Sequence, residues 1–180
     1  MIKKILLITA GFVLCFNANS FALVDVAAWG GYIFSGDDRD DSFKGPQLGL
    51  KAHYNTSLTP LFNLGVGAYC ELSNFNYTNG DIPGEFDIIR KSAGLDVNLI
   101  FSLTPIVNPY FRGTWAFWEK IENDYTSNKE NFKAFGLGLG VEFTIIPLLR
   151  IFGEYMYDRA RHDDETYNFH AFNLGLKLNF

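Results

Sequence analysis

The sequence predicts an all-β chain: an eight-stranded antiparallel transmembrane β-barrel preceded by a cleaved signal peptide. Three observations carry this prediction. The chain opens with an export-type leader. Three short proline turns then alternate with four long polar stretches. The segments between them alternate with period two, and one face of each is apolar without interruption.

The leader comes first. Lys3 and Lys4 form a positive start, and an apolar run from Ile5 to Phe16 follows. Ser20-Phe21-Ala22 then supplies small residues at the positions a signal peptidase reads, so cleavage is expected after Ala22. The run is too short for a helix that needs about 20 apolar residues to cross a bilayer. Leu14 stands before Cys15 where lipoprotein processing wants a small residue, which argues against lipidation. Residues 1–22 are therefore read as the signal peptide and residues 23–180 as one barrel domain.

Composition narrows the class. The full chain carries a formal charge of −5, and loss of two leader lysines makes the mature part more acidic still. Nothing basic enough for nucleic acid or a polybasic membrane patch is present. Cys70 is the one cysteine after the leader, so no internal disulfide is possible. Aromatic residues make up 17% of the chain beside 17 glycines. Two interfacial girdles of a membrane barrel would use that much aromatic surface; a soluble core seldom does.

The punctuation follows. Ser57-Leu58-Thr59-Pro60, Ser102-Leu103-Thr104-Pro105 and Thr144-Ile145-Ile146-Pro147 are three versions of one short turn at near-equal spacing. Proline has no amide to donate, so it belongs at strand ends. Between the turns lie polar stretches at residues 35–44, 73–87, 119–133 and 158–168, rich in Asp, Asn, Gly and Ser. Four long connections and three short ones join eight strands. Long loops at one end and tight turns at the other is the asymmetry of an outer-membrane barrel.

Each strand segment then shows two faces. In Phe135–Ile145 one face reads Phe135, Leu137, Leu139, Val141, Phe143, Ile145 and the other Gly136, Gly138, Gly140, Glu142, Thr144. Segments 47–54, 62–72, 92–103, 110–117, 150–157 and 171–180 alternate likewise. The first segment, 24–34, is less regular, and its Tyr32/Phe34 face is assigned outward. The apolar face is too bulky for the interior of eight strands, which has just enough room for side chains. Bulk therefore faces lipid, and glycines and charges face inward. A charge on the lipid side would cost on the order of 2–4 kcal/mol at the midplane.

The last segment, Phe172-x-Leu174-x-Leu176-x-Leu178-x-Phe180, resembles the signal read by the barrel-assembly machinery of Gram-negative outer membranes. With it, the mature chain resembles the small outer-membrane β-barrel family of the OmpX, OmpW and OmpA membrane-domain type. Pro109-Tyr110-Phe111-Arg112-Gly113 is similar to that family's Pro-Tyr strand start. Residues 136–143, a glycine-rich strand ending in Glu142-Phe143, and residues 150–155, carrying Arg150 and Glu154, are similar to the two strands that follow it. The resemblance implies a closed eight-stranded barrel in the outer membrane. With no periplasmic domain after Phe180, a peptidoglycan anchor is not expected.

The candidate site is the inward charge set: Lys51, Arg112, Arg150 and Lys177 against Asp25, Asp96, Glu142 and Glu154. Buried charges need partners, so the set reads as a salt-bridged plug. A gated ion path is the alternative, since inward glycines leave room for water. Catalysis is not expected. A lipid-modifying barrel enzyme needs a serine with a histidine base, and none of His53, His162 and His170 has a serine in a recognisable motif with it. Gly136-x-Gly-x-Gly lacks the following helix of a phosphate loop. The 37–41 acidic run lacks calcium-loop spacing and carries Arg39 at its centre. No cofactor or metal is expected.

Two function classes follow. One is a surface structural or interaction protein, plugged and porin-like in outline, serving adhesion or envelope integrity through its four extracellular loops. The other is a small-solute or ion channel. A soluble lipocalin-like binder is a weaker third reading, opposed by the apolar outer face. Expected partners are outer-membrane lipids, the barrel-assembly machinery and host or surface ligands at the loops, with no nucleic acid. The chain is expected to be a monomer.

Overall fold

The computed structural model describes residues 23–35, 42–79, 82–123, 129–131, 133–162 and 165–180. The leader, including the proposed cleavage site, lies outside the described residues.

The strands are β1 (Val24–Ser35), β2 (Ser42–Thr59), β3 (Phe62–Asn79), β4 (Ile82–Phe101), β5 (Val107–Asn123), β6 (Lys129–Asn131), β7 (Lys133–Ile146), β8 (Leu149–His162) and β9 (Glu165–Asn179). All pairings are antiparallel, each stave bonds to the next along the chain, and β9 returns to β1. Eight staves thus close a barrel. The three-residue β6 pairs with β5 alone, above the point where β7 takes over. A closed ladder leaves no unpaired edge in lipid, where each unsatisfied amide costs several kcal/mol. The seam is completed at the last residue: Phe180 N donates to Val24 O at 2.8 Å, and Val24 N to Phe180 O at 3.2 Å.

The predicted facing holds throughout. Leu48, Trp115, Phe117 and Leu174 are 63%, 61%, 70% and 74% exposed, whereas Asp25, Lys51, Asp96 and Arg112 are buried. In the first strand Tyr32 faces out, and Asp25, Trp29 and Ile33 face in. A continuous exposed apolar belt of this size is a membrane surface.

The short turns owe their shape to threonine as well as proline. Thr104 Oγ1 accepts from Val107 N at 2.8 Å and donates to Val107 O at 3.1 Å. Thr59 Oγ1 accepts from Leu61 N in the equivalent turn. In both turns the hydroxyl accepts a backbone N–H just past the proline, in place of a backbone carbonyl.

The long connections are shorter than the sequence predicts. Ser73 pairs with Arg90 and the ladder continues to Asn79 opposite Ile82. The polar stretch 73–87 is therefore mostly strand. Similarly, β5 continues to Asn123, β8 to His162, and β2 begins at Ser42. Beyond the hydrocarbon a strand needs no apolar face, so its polar composition mimics a loop.

Two glycines test how tightly the ladder closes. A Cβ on Gly67 would lie 1.8 Å from the Ala52 carbonyl oxygen and 2.8 Å from His53 Cα, whereas one on Gly113 would meet nothing within 4 Å. Close backbone approach of this kind is a reason for glycine in a strand. Gly67→Ala should destabilise the barrel by about 1–3 kcal/mol. Gly113→Ala should be neutral or stabilise it by up to about 1 kcal/mol. Equilibrium unfolding in lipid vesicles separates the two, and equal effects would contradict this packing.

Candidate functional site

All eight predicted interior charges lie inside the barrel, in its turn-side half, and form one connected system. Arg112 is its centre: Nε donates to Asp96 Oδ2 at 2.7 Å, and Nη1 donates to Glu154 Oε1. Glu154 also accepts from Lys51 Nζ at 3.4 Å and from the Tyr110 hydroxyl at 2.8 Å. At the turn end Glu142 accepts from Arg150 at 2.9 Å and from Lys177. Lys177 in turn lies 3.5 Å from Asp25.

His53 joins the two halves of this system. Its Nδ1 lies 2.8 Å from Asp25 Oδ1 and its Nε2 lies 2.9 Å from Asp96 Oδ1. An imidazolium, with two N–H donors, satisfies both carboxylates. Its inward position was predictable, since it shares a face with Lys51.

Aromatic rings fill what remains. Trp29 lies across Gly49, Tyr110 across Gly140 and Phe152 across Gly175, so close that a Cβ on those glycines would come within 2.1, 2.3 and 2.4 Å of the rings. These three inward glycines are slots for rings of the neighbouring strand, which narrows the room that the glycines leave for water. Lys51 sits 4.7 Å from the Phe152 centroid and Arg112 4.9 Å from the Trp29 centroid, contacts that stabilise desolvated cations.

A second cluster lies nearer the long-loop end. Arg90 grips Glu119 with two bonds, Nε to Oε1 at 2.9 Å and Nη2 to Oε2 at 3.2 Å. Its Nη1 lies 3.4 Å from Asp158 and 3.5 Å from Glu71. Phe75 and Phe169 cover it, with Arg90 4.9 Å from the Phe169 centroid.

Strict alternation would point Glu119 at lipid. A bulge opposite Ala93/Gly94 leaves Phe117 and Trp118 both exposed, at 70% and 45%, and turns Glu119 inward. Asp158 falls within the polar stretch 158–168, although it continues the inward parity of Glu154 and Met156.

The remaining candidates sit elsewhere. Phe172, Leu174, Leu176 and Leu178 form the outward face of β9, and Phe180 lies just beyond its end, 65% exposed. His170 faces outward and bonds to Tyr155 Oη. The side chain of His162 lies outside the described residues. Among the described residues no three or more His, Cys, Asp or Glu side chains are grouped to hold a metal.

Sealed strands, a lipid-exposed apolar belt and a charged interior together define a membrane barrel. The model of the outer membrane protein beta-barrel domain matches residues 5–180. The chain belongs to this outer-membrane β-barrel family. It resides in the bacterial outer membrane.

Solved structures agree on the fold. The chain is similar to Neisserial surface protein A, at 17% identity and a TM-score of 0.64, over 87% of this chain and 97% of that one. It is also similar to Ail, the attachment invasion locus protein of Yersinia pestis, at 14% identity and a TM-score of 0.53, over 87% and 96% of the two chains. OprG of Pseudomonas aeruginosa matches at 12% identity and a TM-score of 0.54, over 90% and 98%. A search of curated protein sequences finds no match.

Proposed function

We propose that this barrel is a closed, non-catalytic scaffold that displays its long-loop end at the cell surface for adhesion, other surface contacts or envelope integrity. The observation that carries the reading is the interior packing. Charged and aromatic side chains from β1, β2, β3, β4, β5, β7, β8 and β9 meet across the lumen, and Lys51, Asp96, Arg112 and Glu154 are each 5% exposed or less. Opening a water path would break several buried ion pairs together, which is costly.

What varies freely in such a molecule is the surface end, where loops carried on a rigid frame do the binding. The sequence of residues 36–41 places Asp37, Asp38, Asp40 and Asp41 around Arg39, a composition suited to cationic partners. Among the described residues the lumen supplies no serine–histidine pair, and His53 is held by carboxylates on both sides.

Planar-bilayer recording tests the closed state. The wild type should show no steady conductance. Stable openings by the unmodified protein would move the function to a small-solute or ion channel.

A further inference from the structure

The outer wall carries an unexpected charge distribution. Among described side chains, the outward face holds six cations, Lys44, Lys91, Lys120, Lys133, Arg159 and Arg161, against a single acid, Asp87. All lie at the long-loop end, and the described outward side chains at the turn end carry no charge. The described acids thus lie mostly inside, and these described cations stand against one leaflet.

Three of these cations stand together. Lys133 on β7 is directly opposite Arg161 on β8, and Arg159 is two residues further along β8. Below them the wall is indented. Phe111, Leu139, Tyr155, Phe172 and Tyr32 form one row of adjacent outward positions across β5, β7, β8, β9 and β1. The next row down is Pro109, Val141, Gly153, Leu174 and Gly30. An apolar groove of about 840 Å³ runs along these two rows. On the lumen side of this wall, Gly31 and Gly140 are blocked by Asn173 and Tyr110, so the groove opens toward lipid.

We propose that this wall binds one phosphorylated glycolipid of the outer leaflet. Its headgroup phosphate sits on Lys133, Arg159 and Arg161, and one acyl chain lies in the groove beneath. The dimensions agree. Six residues of β8 separate Arg159 from Gly153, about 20 Å at 3.4 Å per residue. On a strand tilted about 40° that is a descent of about 15 Å, half of a hydrocarbon core about 30 Å thick. A chain anchored at the cations therefore ends in the groove. A second copy of the barrel fits less well, because it would bring its own cationic rim against this one. The site is separate from the lumen and stands whether or not the barrel conducts.

Native mass spectrometry of the intact barrel in mild detergent tests the site. The probes are diphosphoryl lipid A, its dephosphorylated form and phosphatidylcholine, with folding confirmed by the gel-mobility shift on heating. The wild type should retain one diphosphoryl lipid A, with at least tenfold preference over the dephosphorylated form. K133Q/R159Q/R161Q should abolish that preference, since each basic residue near an anionic headgroup layer contributes roughly a fivefold gain in affinity. Gly153→Leu, which fills the groove from the lipid side, should weaken retention with every cation in place. K44Q, on β2 and separated from β8 by β9 and β1, should leave it unchanged. Equal retention of the two lipid A forms by the wild type would overturn the proposal. So would an unaffected Gly153→Leu, or a loss in K44Q as large as in the triple variant.

Discussion

Arg112→Ala should lower the unfolding free energy by about 3–5 kcal/mol, the usual cost of stranding a buried ion partner. The guanidinium is 2% exposed and serves two carboxylates, Asp96 and Glu154, both buried. Its removal leaves both facing a cavity, with Lys51 and His53 as their remaining cations. It also strips the charge from the faces of Trp29 and Tyr69. Urea unfolding in lipid vesicles measures the loss.

A neutral triple variant, Arg112→Met with Asp96→Asn and Glu154→Gln, should recover much of the stability, because a polar set without charge has less to desolvate. A cost below about 1 kcal/mol for Arg112→Ala would instead mean that the lumen is wet, since solvated ion pairs contribute 0–1 kcal/mol. The variant thus reads out the interior directly, independently of conductance.

Much of this architecture was legible because a membrane barrel writes its two environments into alternate residues. Lipid on one side and a narrow lumen on the other sort Leu139 from Gly140, and Leu176 from Lys177, without reference to distant contacts. The turns were legible because proline and threonine act locally. The lower charge system was legible too, since its members fall on one parity within unambiguous strands.

Three features resisted. The upper cluster was hidden because Glu119 lies beyond a bulge and Asp158 in a stretch with loop composition. Alternation is a local rule, and one inserted residue reverses it. The filling of the lumen was hidden because a glycine beside an aromatic ring on the next strand is a register relationship. Nothing near Gly140 in sequence reveals that Tyr110 lies across it. The lengths of the strands were hidden because residues above the hydrocarbon no longer alternate, yet their backbone still pairs.

The upper cluster makes the sharper prediction because its charges do not balance. One guanidinium faces three carboxylates, and they are held unequally: Glu119 by two bonds, Asp158 at 3.4 Å and Glu71 at 3.5 Å. Arg90→Met should therefore cost more than Arg112→Ala, since it strands three like charges rather than two. The single carboxamide variants should diverge in sign. Glu119→Gln removes the bidentate partner and should destabilise by about 2–3 kcal/mol, the range for hydrogen bonds to charged groups. Glu71→Gln removes mainly repulsion against Glu119 and Asp158, and should be neutral or stabilise by up to about 1 kcal/mol. In the Arg90→Met background the same Glu71→Gln change should stabilise by more, because repulsion is then unopposed. A double-mutant cycle over Arg90 and Glu71 isolates that coupling. Equal destabilisation by the two carboxamides would show instead that Arg90 binds all three acids as one balanced set.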